Sequence, residues 1–193
     1  EPLDCDCLAA DPFGGQAEGA ATDVAAVIAN DLRMSGRFAP LERRDMVARP
    51  TAAAEIRYED WRLLKSDFIV VGRVEPDGVS FELHNVRTGA SLLAQRLPSS
   101  EKGLRATAHR ISDLVFERLT GIRGAFSTRI AYVAVDGKPP AQRYRLLVSD
   151  ADGYNPRTVL ESREPIMSPA WSPDGQNLAY VSFEGKASAI YVQ

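Results

Sequence analysis

Two segments of the amino-terminal part carry hydrophobic residues at the spacing of one helix face. Over residues 22–35 the apolar positions follow i, i+3, i+4 and i+8; they are Val24, Val27, Ile28 and Leu32. Asp31 takes another face of this predicted helix. Thr22 is placed to cap its start and Gly36 to end it.

Two further helices are predicted before residue 121. The first runs from Ala52 to Lys65, with an alanine run and a hydrophobic set that comprises Ile56, Trp61 and Leu64. The other begins at Ser99 or Ser100, ends at Leu119, and is stopped by Gly121. Its buried face is predicted to comprise Leu104, Ala108, Ile111, Val115 and Leu119.

Between these helices, three short runs have the composition of β-strands. They cover residues 68–74, 79–86 and 91–97, and the turn-forming residues 75–78 and 87–89 separate them. The spacing predicts an antiparallel meander, and the helices are expected to pack on it. Residues 1–123 are therefore predicted to form one α/β domain with a mixed sheet.

The pattern changes after Arg123, where no helical period continues and β-rich runs alternate with turns. The run at residues 129–133 returns at residues 177–181, an offset of 178 − 130 = 48 residues. A period of roughly 40 to 50 residues built from strands is typical of propeller blades. Residues 124–193 are predicted to begin a propeller but supply fewer than two blades, so we expect the natural chain to be longer.

The composition narrows the class of partner. The 193 residues include 23 Lys and Arg against 26 Asp and Glu, a net charge of −3, and 45% are hydrophobic. This balance argues against a nucleic-acid partner, because the chain has no excess of positive charge to attract a polyanion. No stretch approaches the roughly 18 apolar residues of a membrane-spanning helix.

Several residues invite a chemical interpretation, and each also has a structural one. His84 is predicted in a strand and His109 on the outer face of a helix, which favours ordinary surface roles for both. Residues 150–155 place oxygen ligands as a calcium loop does. A calcium loop of the EF-hand type also needs a bidentate glutamate and a helix on each side. Glu161 follows these residues but has no flanking helices, so a turn after a strand is favoured.

The remaining candidates are two cysteines, two tryptophans and one turn. Cys5 and Cys7 are too close for an easy disulfide and lack the partners of a zinc site, so metal binding, cross-linking and an unpaired tail remain alternatives. Trp61 and Trp171 are predicted to pack in the core. Residues 172–175 are explained as a turn. No catalytic, cofactor-binding or metal-binding residue is assigned, and partner-binding residues stay unassigned.

Four phrases together resemble the TolB family. They are Leu32-Arg33-Met34-Ser35-Gly36-Arg37-Phe38, Phe116 to Phe126 (FERLTGIRGAF), Ser149 to Asn155 (SDADGYN), and Ser168 to Gly175 (SPAWSPDG) followed by Leu178-Ala179-Tyr180-Val181. The helix-end phrase that leads into Gly124-Ala125-Phe126 is the most particular to this family. The blade phrase at residues 168–181 also occurs in other propellers.

The resemblance implies an α/β amino-terminal domain and a six-bladed β-propeller, here truncated after fewer than two blades. It implies a non-enzymatic periplasmic protein of the Tol-Pal system, without cofactor or metal, monomeric, and associated with membranes only through its partners. In that family the propeller binds the lipoprotein Pal, the extreme amino terminus binds TolA, and the first blade is completed by the carboxyl-terminal strand.

The chain departs from the family pattern over Glu1 to Asp11. Three aspartates in this stretch make a poor strand, so these residues by themselves do not support the family's first strand or its TolA contact. Two other functions remain open: the propeller of a prolyl-oligopeptidase-like peptidase, and a carbohydrate- or cell-wall-binding propeller.

Overall fold

A computed structural model describes residues 6–10, 12–16 and 21–193 of the chain. The chain divides into two compact units, Glu1–Ser127 and Thr128–Gln193. Each is described by itself below. The sequence-based boundary after residue 123 falls before this division and remains a prediction.

The amino-terminal unit is a five-stranded mixed sheet with helices. Its strands are β1 Asp6–Ala10, β2 Phe38–Pro40, β3 Phe68–Glu75, β4 Gly78–Asn85 and β5 Ser91–Pro98; its helices are α1 Val24–Met34, α2 Tyr58–Leu63 and α3 Leu104–Thr120. The sheet order is β2-β1-β3-β4-β5. The meander β3-β4-β5 is antiparallel throughout, which confirms that prediction.

Strand β1 corrects the prediction of a poor strand at the amino terminus. It pairs in parallel with both β2 and β3, so it occupies the interior of the sheet. Leu8 and Ala9 are fully buried and Ala10 nearly so. A strand buried on both faces needs a short apolar run more than it needs alternation, and these three residues supply one in spite of the aspartates around them. Glu1 to Cys5 and Asp11 lie outside the described residues.

Helices α1 and α3 pack on one face of the sheet, as predicted. The predicted apolar set of α1 is buried together with Leu104, Ala108, Ile111 and Val115 of α3, while Leu119 is partly buried against the same cluster. The cap of α1 differs from the prediction: the Asp23 carboxylate, not Thr22, accepts a hydrogen bond from Ala26 N–H. Gly121 ends α3 in the left-handed conformation, at φ 72°.

The predicted helix over 52–65 was too long. The structure has a short 3₁₀ turn at Ala53–Glu55 and then α2, which is only six residues long. Both pieces lie against the other face of the sheet, where Ile56 and Trp61 are buried with Ile69 and Val71. Tertiary packing overrides helix propensity here, because Ile56 and Trp61 must both reach the same face of the sheet.

The carboxyl-terminal unit comprises two antiparallel three-stranded sheets. The first has the order β6-β7-β8, with β6 Arg129–Asp136, β7 Arg143–Asp150 and β8 Arg157–Ser162. The second has the order β9-β10-β11, with β9 Ile166–Trp171, β10 Leu178–Ser182 and β11 Ala189–Val192. Leu146 of the first sheet and Ile166, Leu178 and Tyr180 of the second form a common core.

The internal repeat corresponds to one strand in each of the two sheets. β6 and β10 contain the two copies, and each pairs in antiparallel fashion with the strand that follows it. β10 also pairs in antiparallel fashion with β9, with Leu178 opposite Trp171 and Ala179 opposite Ala170, so the turn expected at residues 172–175 joins two paired strands. Within the described residues, no helix has the length and apolar character that a membrane span requires.

Candidate functional site

His84 is the centre of a polar network on the face of the sheet that α2 partly covers. Its Nδ1 lies 3.0 Å from the Tyr58 hydroxyl and its Nε2 lies 3.2 Å from Glu82 Oε2. The imidazole is buried, with 4% of its side chain exposed. The predicted surface role for His84 is therefore wrong, because the ring is buried and both of its nitrogens have a hydrogen-bond partner.

His109 is also buried, which corrects its placement on an outer helix face. Its Nδ1 lies 2.8 Å from Asp31 Oδ2, and the two side chains are 4% and 2% exposed. Asp31 belongs to α1 and His109 to α3, so the pair joins the two helices that cover the sheet. Each side chain gives the other a hydrogen-bond partner, and this compensates for burying both of them at the contact between the helices.

The order Tyr58, His84, Glu82 resembles a nucleophile, a base and an orienting carboxylate. Its chemistry is nevertheless poor for catalysis. Burial and the nearby Glu82 carboxylate raise the pKa of the Tyr58 hydroxyl, which makes it a weaker nucleophile. The group that reaches open space is Glu82, at the opposite end of the chain of hydrogen bonds. The network is therefore suited to fixing the position of a carboxylate.

Glu82 lines an open trough of about 460 Å³ over strands β3, β4 and β5. The trough is bordered on one side by Thr51 and Ala52, and its other lining residues include Val71, Arg73, Ser80, Ala94 and Arg96. Each of its four charged side chains already has a partner in the protein, and two of them, Glu75 and Arg96, form an ion pair. Arg96 binds the Glu75 carboxylate at 2.9 Å and also contacts Asp77, and Arg73 donates to the Thr51 hydroxyl at 3.3 Å.

Sequence reasoning missed this polar face, although the signal was present. Along β4, Val79, Phe81 and Leu83 are buried on the face beneath α1 and α3. Ser80, Glu82 and His84 alternate with them and therefore lie on the opposite face. Polar residues at every second position of a strand indicate a face that no apolar layer covers completely.

Asp113 holds the segment that leaves α3. Its carboxylate accepts from Phe126 N–H at 2.7 Å and from Ser127 N–H at 3.3 Å, and it also contacts the Ser127 hydroxyl. Gly124 passes so close that a Cβ there would lie 2.5 Å from Asp113 Cα. The Phe126 ring packs edge-on against Phe116, with ring centroids 5.6 Å apart. The segment is therefore fastened to the helix.

The two loop candidates are turns. Residues 150–155 connect β7 to β8, with Asp150 N–H donating to Tyr154 O and Gly153 at φ 82°. In the 172–177 turn, the Ser172 hydroxyl accepts from Asn177 N–H, and the Asp174 carboxylate accepts from Gln176 N–H and contacts Ser172. These hydrogen bonds lower the pKa of Asp174.

The tryptophans and Cys7 have packing roles in the described structure. Trp61 is fully buried, as predicted. Trp171 packs against the core of the carboxyl-terminal unit, and the Arg129 guanidinium lies 4.8 Å from its ring centroid. Cys7 is a half-buried free thiol whose pKa is raised, chiefly by burial and also by Asp67. Cys5 lies outside the described residues.

Family models match both units in chain order. Residues 7–92 match the TolB amino-terminal domain, and residues 116–193 match the TolB beta propeller domain. The Tol-Pal system protein TolB of Xylella fastidiosa (strain M12) is 48% identical over 187 residues, which cover 94% of this chain and 43% of that protein. The chain belongs to the TolB family.

Two further comparisons agree with this assignment. The Tol-Pal system protein TolB of Thioalkalivibrio sulfidiphilus (strain HL-EbGR7) is 45% identical over 189 residues. The crystal structure of TolB from Acinetobacter baumannii superposes on 100% of this chain and 47% of its own, with a TM-score of 0.87 and 38% identity. The expected α/β domain followed by the start of a TolB-type propeller is confirmed. The chain spans less than half the length of these TolB relatives.

Proposed function

We propose that this protein is a non-enzymatic binding component of the Tol-Pal system. It would link the lipoprotein Pal with the inner-membrane Tol components and so support outer-membrane integrity and constriction during cell division. One observation supports this proposal most directly. The family models of the TolB amino-terminal domain and of the TolB propeller match one after the other along a chain that is 48% identical to a TolB protein.

The same observation favours a binding protein over the two alternative functions. A prolyl-oligopeptidase-like peptidase and an unrelated wall-binding propeller both share blade phrases with this chain. Neither class accounts for the match of residues 7–92 to the TolB amino-terminal domain. The Tyr58, His84, Glu82 network, with its carboxylate toward solvent, supports the same choice because it offers no activated nucleophile.

The proposed location is the periplasm, and the proposed partners are Pal, through several propeller blades, and TolA, through the amino terminus. A single blade presents too little area for a standard interface of roughly 800 Å² per partner. Within the described residues β6 pairs with β7 alone, whereas β10 has a strand on each side. A further strand beside β6, as the family resemblance implies, would complete the first blade.

Calorimetric titration of the soluble domain of Pal tests the proposal. We expect the complete protein to bind and the 193-residue chain to bind much more weakly, because most blades are absent from it. Equal affinity for both would place the Pal site in the amino-terminal domain or the first blade and contradict our assignment to several blades. No binding to either would contradict the proposed function itself.

A further inference from the structure

Strand β5 forms one edge of the amino-terminal sheet, and among the described residues no strand lies beyond it. The direction of its main-chain groups follows from two contacts. Ser99 N–H points toward β4 and donates to Asp77 O at 3.1 Å. Leu92 O points the other way and accepts from Arg118 Nε at 2.8 Å. Because these groups alternate along a strand, Ala94 and Arg96 direct theirs outward.

Both ends of this edge are closed to pairing. Arg118 already occupies the Leu92 carbonyl, and Pro98 has no N–H to donate. The accessible part is therefore short and defined, with the N–H and C=O groups of Ala94 and Arg96 at its centre. An edge of this kind can accept an extended peptide by main-chain hydrogen bonding.

The trough supplies a side-chain determinant beside this edge. Ala94 lies directly opposite Glu82 across the β4-β5 pair, so both share the face that carries the trough. A residue opposite Ala94 on an added strand would lie two strand spacings, about 10 Å, from the Glu82 backbone. Only the methyl group of Ala94 stands between them, and a lysine or arginine is long enough to cross it.

The trough is lined by the carboxylates of Glu75 and Glu82 and by Arg96 and Arg73, of which Arg73 donates to the Thr51 hydroxyl. Because Glu75 is paired, Glu82 is the carboxylate that can accept a cation of a ligand. Arg96 and Glu75 are paired with each other, and Asp77 is also engaged by Arg96. Among the described residues His84 is the one hydrogen-bond partner of the Glu82 carboxylate, and it fixes the position of one oxygen from within the sheet face. Among the described residues the second oxygen, Oε1, has no hydrogen-bond partner, so it is available to a cation of a ligand.

We propose that β5 accepts an extended segment of a partner protein as a sixth strand, with a lysine or arginine of that segment reaching across Ala94 to Glu82. The segment is recognised by its main chain and by one positive charge. All residues of this surface belong to the amino-terminal unit.

Fluorescence anisotropy with a labelled peptide tests the proposal. The probe is the acetylated and amidated heptapeptide Thr-Val-Thr-Lys-Thr-Val-Thr, and the matched probe carries glutamate in place of lysine. We expect the lysine peptide to bind at least about threefold more tightly at low salt. Hydrogen exchange at Ala94 and Arg96, whose N–H groups point outward, should slow when it binds. Equal binding of both peptides, or no protection at these residues, would overturn the proposal.

Variants separate the two parts of the surface. Glu82→Gln should remove the preference for lysine, whereas Glu59→Gln, an exposed carboxylate on α2, should preserve it. Ala94→Pro removes an outward N–H and should abolish binding of both peptides. If that variant does not fold, Ala94→Phe keeps the main chain but blocks the path to Glu82, and it should also remove the preference.

A second copy of the chain is the competing occupant. Sedimentation that showed a dimer dissociated by the lysine peptide would mean that β5 pairs with itself, and would overturn the assignment to a partner protein. A monomer that binds the lysine peptide, and loses the preference in Glu82→Gln, supports it.

Discussion

Three buried polar residues hold the amino-terminal unit together through partners that are distant in sequence. His84 meets Tyr58 across 26 residues and His109 meets Asp31 across 78. Asp113 binds the main chain at Phe126 and Ser127. The helical period and the strand alternation each assign a residue to a face, but neither says whether another element covers that face. This is why the sequence analysis placed both histidines at the surface.

Replacing Asp113 by alanine should destabilise the amino-terminal unit. The carboxylate is 4% exposed, and its loss leaves the Phe126 N–H without its acceptor, at a cost of about 2 kcal/mol. Urea unfolding followed by circular dichroism measures the change. Ser127→Ala removes one donor but leaves the Phe126 bond, so it should cost about half as much. A loss for Ser127→Ala as large as that for Asp113→Ala would contradict this account.

Asp174 should make the stability of the 172–177 turn depend on pH. Its pKa is lowered in the folded protein by hydrogen bonds from Ser172 and Gln176, so its contribution is present above the ordinary carboxyl pKa of about 4 and is lost as the pH falls through the lower folded value. Melting temperatures of the parent and Asp174→Asn should therefore differ at pH 7, and the difference should shrink as the pH is lowered below about 4.

The control for this measurement is Glu164→Gln, an exposed carboxylate in the loop between β8 and β9. It has no side-chain hydrogen bond among the described residues, so its effect should change little between the same pH values. A constant difference between the parent and Asp174→Asn across the range would show that the charge on Asp174 does not support the turn.

At the scale of elements, the hydrophobic pattern predicted α1, α3 and the β3-β4-β5 meander because each is specified by its own local period. β1 was missed since its neighbours β2 and β3 come about 30 and 60 residues later, and only they supply the burial that overrides the aspartates. The 52–65 segment failed for the converse reason. Its local propensity is helical, but the flat sheet determines where Ile56 and Trp61 must lie.

Ile111 tests the packing of α3 on the sheet. It is fully buried, and Ile111→Asp would place an unpaired charge in the core, with an expected loss of about 3 kcal/mol or more. Thermal melting of the amino-terminal unit measures this. Ala106→Asp, on the exposed side of the same helix, should leave the melting temperature nearly unchanged. Equal melting of the parent and Ile111→Asp would show that α3 does not cover the sheet.

At the scale of the whole molecule, the two units are expected to behave as separate folding units with a boundary between Leu119 and Ser127. Gly121, Ile122 and Arg123 are exposed, whereas Arg96 in β5 is bound by Glu75 and Asp77. Brief treatment with trypsin should therefore cleave after Arg123 first. A first cut within β3, β4 or β5, identified by mass spectrometry, would contradict this boundary.

The attachment of Phe126 and Ser127 to Asp113 determines how tension would pass along the chain. A pull applied beyond Ser127 enters α3 at Asp113, in the body of the helix, instead of at its last residue. The last turns of α3 and residues 121–125 then carry no load while the attachment lasts. Breaking these hydrogen bonds would transfer the load to the end of α3. The carboxylate of Asp113 therefore determines where a force on the following chain enters the helix.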